Sequence, residues 1–439
     1  MKASFYNLYF PLNDKNSHII YNTLSGSTFV VDNEALNAIK NFKDGLINKK
    51  LLSILKEENI LIDDNTNERL IYKCLSNKKK FYGFKSFFTI LTSYACNMSC
   101  TYCYEKYFFE KNGEIKRKTM NNKNSNLVIK FIKNIIIERN YKNITIVFFG
   151  GEPLLNIKQV YKILESLDPW IKNLGLILKV HFVSNGTLIT IENIKRLKKY
   201  NPTFQITLAG SKEIHDKMRK YKNGKGTYED IMYAIDLLKR FQIRFFIRVD
   251  VGKETYAHIE ELLTDLKKRF GNGLSIGFAS IIPGAGPNCS FRSSCLTDDE
   301  LAKFPTLWEL AEKRGFSLVM TPIIKYVYCT YYTDHAYIID PSRDLYKCEG
   351  IVGLKDHRIG KIDRNGKIKI NYQYYNWLSI DPLTSKECRN CSLLPACGGG
   401  CAGIAYDKHG TYHKTVCHMS KHLITHRIKY HLKKLNFNL

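Results

Sequence analysis

The sequence predicts an α/β protein built on an incomplete (β/α)6 barrel, with a winged-helix-like unit before it and a cysteine-rich region after it. Three observations carry this. From about residue 86 onward, strand-like apolar runs alternate with helical periodicity six times, the pattern of parallel βα units. Residues 1–82 instead pair two short strand-like runs with helical patterns. Past about residue 283 the alternation stops and the cysteines gather.

In residues 1–82, His18–Asn22 and Ser27–Val31 flank a Leu-Ser-Gly turn. Helical patterns follow at Asn33–Phe42 and Lys50–Glu57, then a strand-like run at Ile60–Asp63. Residues 83–285 supply the barrel. Its strands are predicted at Phe87–Thr92, Ile144–Phe149, Lys179–Ser184, Phe204–Leu208, Arg244–Val251 and Ser275–Ala279. Helices fill the gaps at Asn126–Arg139, Lys158–Leu167, Thr190–Lys199, Tyr228–Phe241 and Ala257–Phe270. Six strands are too few for the closed eight-stranded barrel, and in such folds the chemistry sits on the loops that follow strands. Pro283–Pro287 breaks the pattern, residues 286–320 form a bridge with a helical run at Thr297–Arg314, and residues 321–439 hold short strands, loops and cysteines. That last region is expected to be organised by metal rather than by a large core.

Composition narrows the function classes. A 44% hydrophobic, 25% charged chain of 439 residues is globular rather than disordered. No run approaches the roughly 20 apolar residues of a membrane span. The N-terminal MKASFYNLYFPLNDKN lacks an apolar core and a small-residue cleavage site, so a cytoplasmic protein is expected. A net charge of +26 could attract nucleic acid, an acidic peptide or an anionic membrane. Yet the lysines are spread along the whole chain, which argues for compositional bias over a nucleic-acid surface; the densest basic stretch, Lys421–Lys434, fits one amphipathic helix. Thirteen cysteines, three within Cys96–Cys103 and five within Cys388–Cys417, point to metal or redox chemistry before disulfides, and the odd count agrees.

The first barrel strand runs into Cys96-Asn97-Met98-Ser99-Cys100-Thr101-Tyr102-Cys103. Three thiolates from one short loop can ligate three irons of a [4Fe–4S] cube and leave the fourth open to a ligand. Zinc is the alternative, but it normally takes four ligands. The C-x3-C-x2-C spacing with Tyr102 before the last cysteine resembles the signature of the radical S-adenosylmethionine (SAM) superfamily. The resemblance implies that SAM chelates the open iron and is cleaved by one electron to a 5′-deoxyadenosyl radical that abstracts a substrate hydrogen. It extends to four further segments: Gly150-Gly151-Glu152-Pro153 after the second strand, Ser184-Asn185-Gly186-Thr187 closing the third, Gln205-Ile206-Thr207-Leu208 on the fourth and Arg248 on the fifth. These imply contacts to the SAM amino group, its ribose and, through Arg248, its carboxylate. Two positions depart from the pattern. Ala209 stands where relatives carry Asp, and Arg248-Val249-Asp250-Val251-Gly252 replaces the usual Arg-x-Asn-x-Asp, so no carboxylate role is expected there.

Cys388-x2-Cys391-x5-Cys397-x3-Cys401, then Cys417, with Cys329 and Cys348 upstream, resembles the SPASM domain of radical SAM enzymes that modify peptides and proteins. Arg343 replaces the usual Gly five residues before the second cysteine. The resemblance implies one auxiliary [4Fe–4S] cluster on Cys388, Cys391, Cys397 and Cys417 and a second on Cys329, Cys348 and Cys401, three clusters in all. The fourth ligand of the second stays open between Cys289, Cys295 and a substrate thiolate. Cys74 is expected to be structural.

Tyr21–Gly26 followed by Phe29-Val30-Val31-Asp32 resembles the recognition element of ribosomal-peptide maturases, which captures a leader peptide by adding it as a strand to a sheet edge. The implied activity is maturation of a precursor peptide by a thioether or carbon–carbon crosslink, with an auxiliary cluster taking the surplus electron and flavodoxin or ferredoxin as reductant. An anaerobic sulfatase-maturing enzyme is the nearest alternative. An iron–sulfur redox sensor or nucleic-acid-binding regulator is the alternative of another class, against which the SAM-binding segments argue. No catalytic acid or base is named by the sequence.

Overall fold

The computed structural model describes residues 1–14, 16–42, 47–104, 118–281, 292–320, 323–417 and 421–437. Among them no helix is long and apolar enough to cross a membrane.

The N-terminal unit opens with β1 (Lys2–Ala3), β2 (Asn7–Pro11), β3 (Ser17–Asn22) and β4 (Thr28–Asp32). The last three form an antiparallel sheet in the order β2-β3-β4. Asp32 then caps α1 (Asn33–Lys40) by accepting from the Ala35 amide, and Asn48 caps α2 (Lys49–Glu57) in the same way. β5 (Leu61–Ile62) returns to pair with β1. Ile20, Val31, Leu36, Ile39, Leu55 and Leu61 make the unit's core. Three elements exceed the sequence expectation: the short β1, β2, and α3 (Glu68–Phe81). α3 is hard to read because the side it buries carries Tyr72, Ser76 and Lys80 while Leu70 and Ile71 lie exposed, the reverse of an apolar stripe. The buried Lys80 ammonium donates to the carbonyls of Leu378 and Ile380, which fastens α3 to the C-terminal region.

The barrel strands are β6 (Lys85–Ser93), β7 (Asn143–Gly150), β8 (Ile177–Ser184), β9 (Thr203–Leu208), β10 (Arg244–Val251) and β11 (Ser275–Ser280), all parallel and in sequence order. Register places Phe148 beside Phe182 and Phe182 beside Phe204, and their rings stack at 5.1 and 4.7 Å. The predicted helices pack behind them, their apolar stripes merged into one core. The expected helix over 297–314 is two, Asp298–Ala302 and Phe304–Lys313, because Pro305 is accommodated in a first turn and not in an interior. Pro283–Pro287 lie outside the described residues.

The C-terminal region corrects the expectation of a fold held by metal alone. β12 (Ser317–Leu318) pairs with β11, while β13 (Ala336–Ile339) pairs in parallel with β6. β14 (Asp344–Tyr346), β15 (Gly360–Ile362) and β16 (Ile368–Ile370) follow antiparallel, giving one eleven-stranded sheet. Tyr337, Ile339, Leu345 and Ile362 belong to the barrel's own core. A four-residue strand such as Ala-Tyr-Ile-Ile has too little length to announce this partner in sequence. Arg343 does adopt φ 70, the left-handed conformation glycine favours, and its Nη1 donates to the Ile362 carbonyl at 2.7 Å.

Candidate active site at the strand ends

The cysteine loop leaves β6 and crosses the C-terminal ends of the strands. Its backbone is tied to the segment after β9: the Ser99 amide donates to the Lys220 carbonyl at 2.8 Å and the Thr101 amide to the Met218 carbonyl at 2.9 Å. Met98 is buried and anchors the middle of the loop. From the other side, Gly150 and Gly151 press against it. A Cβ on Gly150 would strike the Ser93 carbonyl, and one on Gly151 the carbonyls of Tyr94 and Ala95. The paired glycines are therefore what lets β7 close on the loop.

Glu152 is buried, and its carboxylate accepts from Ser184 Oγ at 2.9 Å and from the amides of Asn185 and Leu154 at 2.8 and 3.1 Å. Burial pushes it up to about 7 against those donors. Pro153, also buried, starts the helical turn that follows. Asn185 Nδ2 donates to Asn97 Oδ1 at 3.0 Å and approaches Cys96 Sγ at 3.7 Å. Thus Gly150–Pro153, Ser184, Asn185 and Cys96 share one neighbourhood.

Opposite stands a charged hub. Asp250 accepts from Arg248 Nε at 2.7 Å and from the Tyr102 hydroxyl at 3.0 Å, while Arg219 Nη1 donates to Tyr102 at 3.0 Å. Asp250 therefore does use its carboxylate, contrary to the expectation at that position, because two guanidinium groups converge on it. Ala209 has no such part; it is buried, and its amide donates to His215 Nδ1. Arg248 has no side-chain hydrogen bond among the described residues other than that through Nε, which leaves its two Nη groups for an anion. Register sets Gln205, half-buried on β9, two positions before Thr207, the neighbour of Arg248. Burial raises the Cys100 thiol while the nearby Arg219 pulls it down. Arg219 Nε is buried without a partner among the described residues, an orphan donor next to the cysteine loop. Together with the three-thiol donor set, this cradle fits a SAM-binding [4Fe–4S] cluster.

The other cysteines fall into two groups. Cys401 raises both Cys329 and Cys348, and Cys329 raises Cys348; burial raises all three, Cys329 to about 12. The Sγ atoms of Cys348 and Cys401 flank Gly403. Cys388 is raised by burial and by Cys391 and Cys417, and Cys397 by burial and by Cys388. Buried thiols that raise each other are poor thiolates alone and good ones around a cationic cluster. Among the described residues no three His, Cys, Asp or Glu side chains converge on a point that would suit a single metal ion. Cys295 packs with Met218, Ile281, Tyr102 and Tyr104 rather than in the apolar cluster of Cys329 and Cys348. Cys289 lies outside the described residues. Cys74, expected to be structural, is exposed on α3.

Residues 90–266 match the model of the radical SAM superfamily. Those residues form a radical SAM domain. It is 27% identical to the cysteine-type anaerobic sulfatase-maturating enzyme of Clostridium novyi over 70% of this chain and 84% of that one. It is 23% identical to the radical SAM cyclopropyl synthase TigE of Paramaledivibacter caminithermalis over 95% of this chain and 93% of the relative. The fold is also that of Streptococcus suis SuiB bound to its precursor peptide SuiA, with a TM-score of 0.56 at 15% identity over 96% of this chain and 99% of that one. The chain is thus a radical SAM enzyme whose relatives modify peptides or proteins.

Sequence reasoning named no acid or base for this radical SAM site, and the structure offers one. Glu349, directly after Cys348, accepts from the Tyr331 hydroxyl at 2.7 Å, and that hydroxyl also meets Thr89 Oγ1 of β6 at 2.7 Å. Burial raises Glu349, while Tyr331 and the charge of Arg248 pull it down. A carboxylate beside one of the clustered cysteines was the available signal; its link to the barrel through Tyr331 was not.

Proposed function

We propose that the protein matures a ribosomally made precursor peptide by installing a thioether or carbon–carbon crosslink. Cys96, Cys100 and Cys103 would hold the SAM-binding [4Fe–4S] cluster, and Gly150–Pro153, Ser184, Asn185, Gln205 and Arg248 the SAM molecule. Cys388, Cys391, Cys397 and Cys417 would hold one auxiliary cluster. Cys329, Cys348 and Cys401 would hold another, with a position open to a substrate thiolate. Bound there, SAM and its cluster supply a 5′-deoxyadenosyl radical able to abstract a substrate hydrogen, with electrons from flavodoxin or ferredoxin.

The chain's own residues do the rest. Arg248 offers its Nη groups to the SAM carboxylate, and Glu152 keeps the two loops that flank SAM in register. Glu349, raised by burial and able to reach the barrel through Tyr331, accepts the proton that a substrate thiol or neighbouring carbon gives up. The N-terminal unit docks the leader along β4, an outer strand that exposes Val30, whereas β2 packs Phe10 among the buried side chains of the helix Lys421–Lys434.

The observation that carries this reading is that the docking sheet is built into the cysteine-rich region: Phe10, Ile19 and Tyr21 share one apolar cluster with Cys391 and Cys397. The span of the TigE match supports it, since 95% coverage leaves no room to omit residues 1–82. A second reading, conversion of a sulfatase cysteine or serine to formylglycine, is favoured by the match to the Clostridium novyi enzyme. Anaerobic reconstitution followed by SAM, dithionite and candidate peptides separates the two. A short peptide encoded beside the gene losing two hydrogens supports crosslinking. A sulfatase-derived peptide whose cysteine exchanges sulfur for oxygen and loses two hydrogens, or whose serine loses two hydrogens, supports the second reading, and no 5′-deoxyadenosine with either overturns both.

A further inference from the structure

We propose that Tyr6 donates a hydrogen bond to the auxiliary cluster held by Cys388, Cys391, Cys397 and Cys417, so that the N-terminal unit sets that cluster's reduction potential. This rests on the cluster assignment above and goes beyond it by giving the peptide-docking unit an electronic role.

Tyr6 is 0% exposed, yet its hydroxyl has no hydrogen-bond partner among the described residues. A buried phenol O–H left unpaired is costly, so such a group usually has a partner. Its surroundings are Leu24, Tyr72 and Leu394, with Cys388 packed against them, and the Cys391 thiol lies within electrostatic reach. Tyr72 provides the contrast. It is equally buried and feels Cys397, but its hydroxyl is spent on the Tyr326 carbonyl at 3.0 Å.

The position of Tyr6 over the cysteine loop is fixed from several sides. Thr23 Oγ1 donates to the Ser392 carbonyl at 2.5 Å, the Tyr326 hydroxyl to the Leu24 carbonyl at 2.8 Å, and Arg69 Nη2 to Asn390 Oδ1 at 3.0 Å. The phenol hydroxyl is the one group of this side chain able to donate, and it has no other use among the described residues. A hydrogen bond to a cluster sulfur stabilises the more negative, reduced state and raises the potential.

The test is Tyr6→Phe in the full-length, fully reconstituted enzyme, with iron counted and each cluster titrated by electron paramagnetic resonance. The expected result is unchanged iron and one auxiliary midpoint moved negative by a roughly tenfold change in the reduced-to-oxidised ratio, about 59 mV for one electron. Unchanged iron with unmoved midpoints overturns the proposal. If the variant loses iron, melting of the cluster-free proteins decides. A cluster-free Tyr6→Phe protein at least as stable as the wild type supports a hydroxyl that serves only the cluster, and one destabilised as much as the loaded form overturns it. A Cys388→Ala, Cys391→Ala variant that keeps all the wild-type iron would instead sink the cluster assignment itself, whatever Tyr6→Phe does.

Discussion

The Glu152 carboxylate takes the Ser184 hydroxyl at 2.9 Å and the Asn185 amide at 2.8 Å, joining the end of β7 to the end of β8 across the site. Its oxygens are spent on the protein, so on the proposed reading its effect on SAM runs through the loops it holds. Glu152→Gln would keep an acceptor for Ser184 and set an NH2 group against the Asn185 amide. SAM affinity, measured by equilibrium dialysis on the reconstituted enzyme, should fall about tenfold, or ~1.4 kcal/mol. Iron content should stay at the wild-type level, because the cysteine loop keeps its bonds to Met218 and Lys220.

The same group predicts a pH dependence. Burial lifts Glu152 from an ordinary 4.5 to about 7, and burial with the Asp344 charge lifts Asp340 from 3.8 to about 7. Between those values the folded chain holds protons that the unfolded chain has released, so stability falls as pH rises through that window. Melting of the cluster-free protein should therefore lose stability between about pH 5 and 7, on the order of 2 kcal/mol per group. Glu152→Gln should flatten part of the slope, and a slope of opposite sign would refute the argument.

Asp250 neutralises the Arg248 and Arg219 side chains beside Tyr102. Asp250→Asn keeps the shape and removes the charge, leaving two guanidinium groups without their counterion. It should cost about 3 kcal/mol of stability, against about 1 kcal/mol for Tyr102→Phe, which loses only hydrogen bonds. Arg248→Ala should weaken SAM binding by about 2 kcal/mol. Chemical denaturation and SAM titration check the series.

How far the sequence could be read follows from range. The Cys96–Cys103 loop, the paired glycines and the barrel strands are local patterns, and each lies where its spacing predicted. Asp250 was discounted because its worth depends on Arg219 and Tyr102, far off in the chain but adjacent in space. β13 was missed as a barrel neighbour because a short apolar strand reveals nothing about its partner, and Glu349 because its path to the barrel runs through Tyr331. The docking of Phe10 and Tyr21 onto Cys391 and Cys397 joins the two ends of the chain and leaves no local trace.

Glu349 gives the sharpest separation of radical generation from turnover. Its carboxylate meets Tyr331, not the Cys96 loop, so Glu349→Gln should leave SAM cleavage near wild type. If Glu349 accepts the substrate proton, formation of modified peptide should drop about 10²–10⁴-fold. Chromatography of 5′-deoxyadenosine alongside mass spectrometry of the peptide reads both. Equal loss of the two products would assign Glu349 to the SAM site instead.

The outer strand β4 tests the docking of the leader. In the register of β3 and β4, Val30 lies opposite Ile19, yet its own side chain is 49% exposed while the next residue, Val31, is buried. A peptide laid along this edge would gain main-chain hydrogen bonds and cover Val30. Amide exchange over residues 28–32 should therefore slow when precursor peptide is added. Val30→Lys should weaken precursor binding about tenfold, through lost apolar cover and the charge left beneath the peptide. Melting should barely change, since Val30 adds little to the unit's core. A short core peptide lacking its leader should be processed equally poorly by wild type and variant. Unaltered exchange on this strand with peptide bound elsewhere would move the docking site off β4, whatever crosslink the enzyme forms.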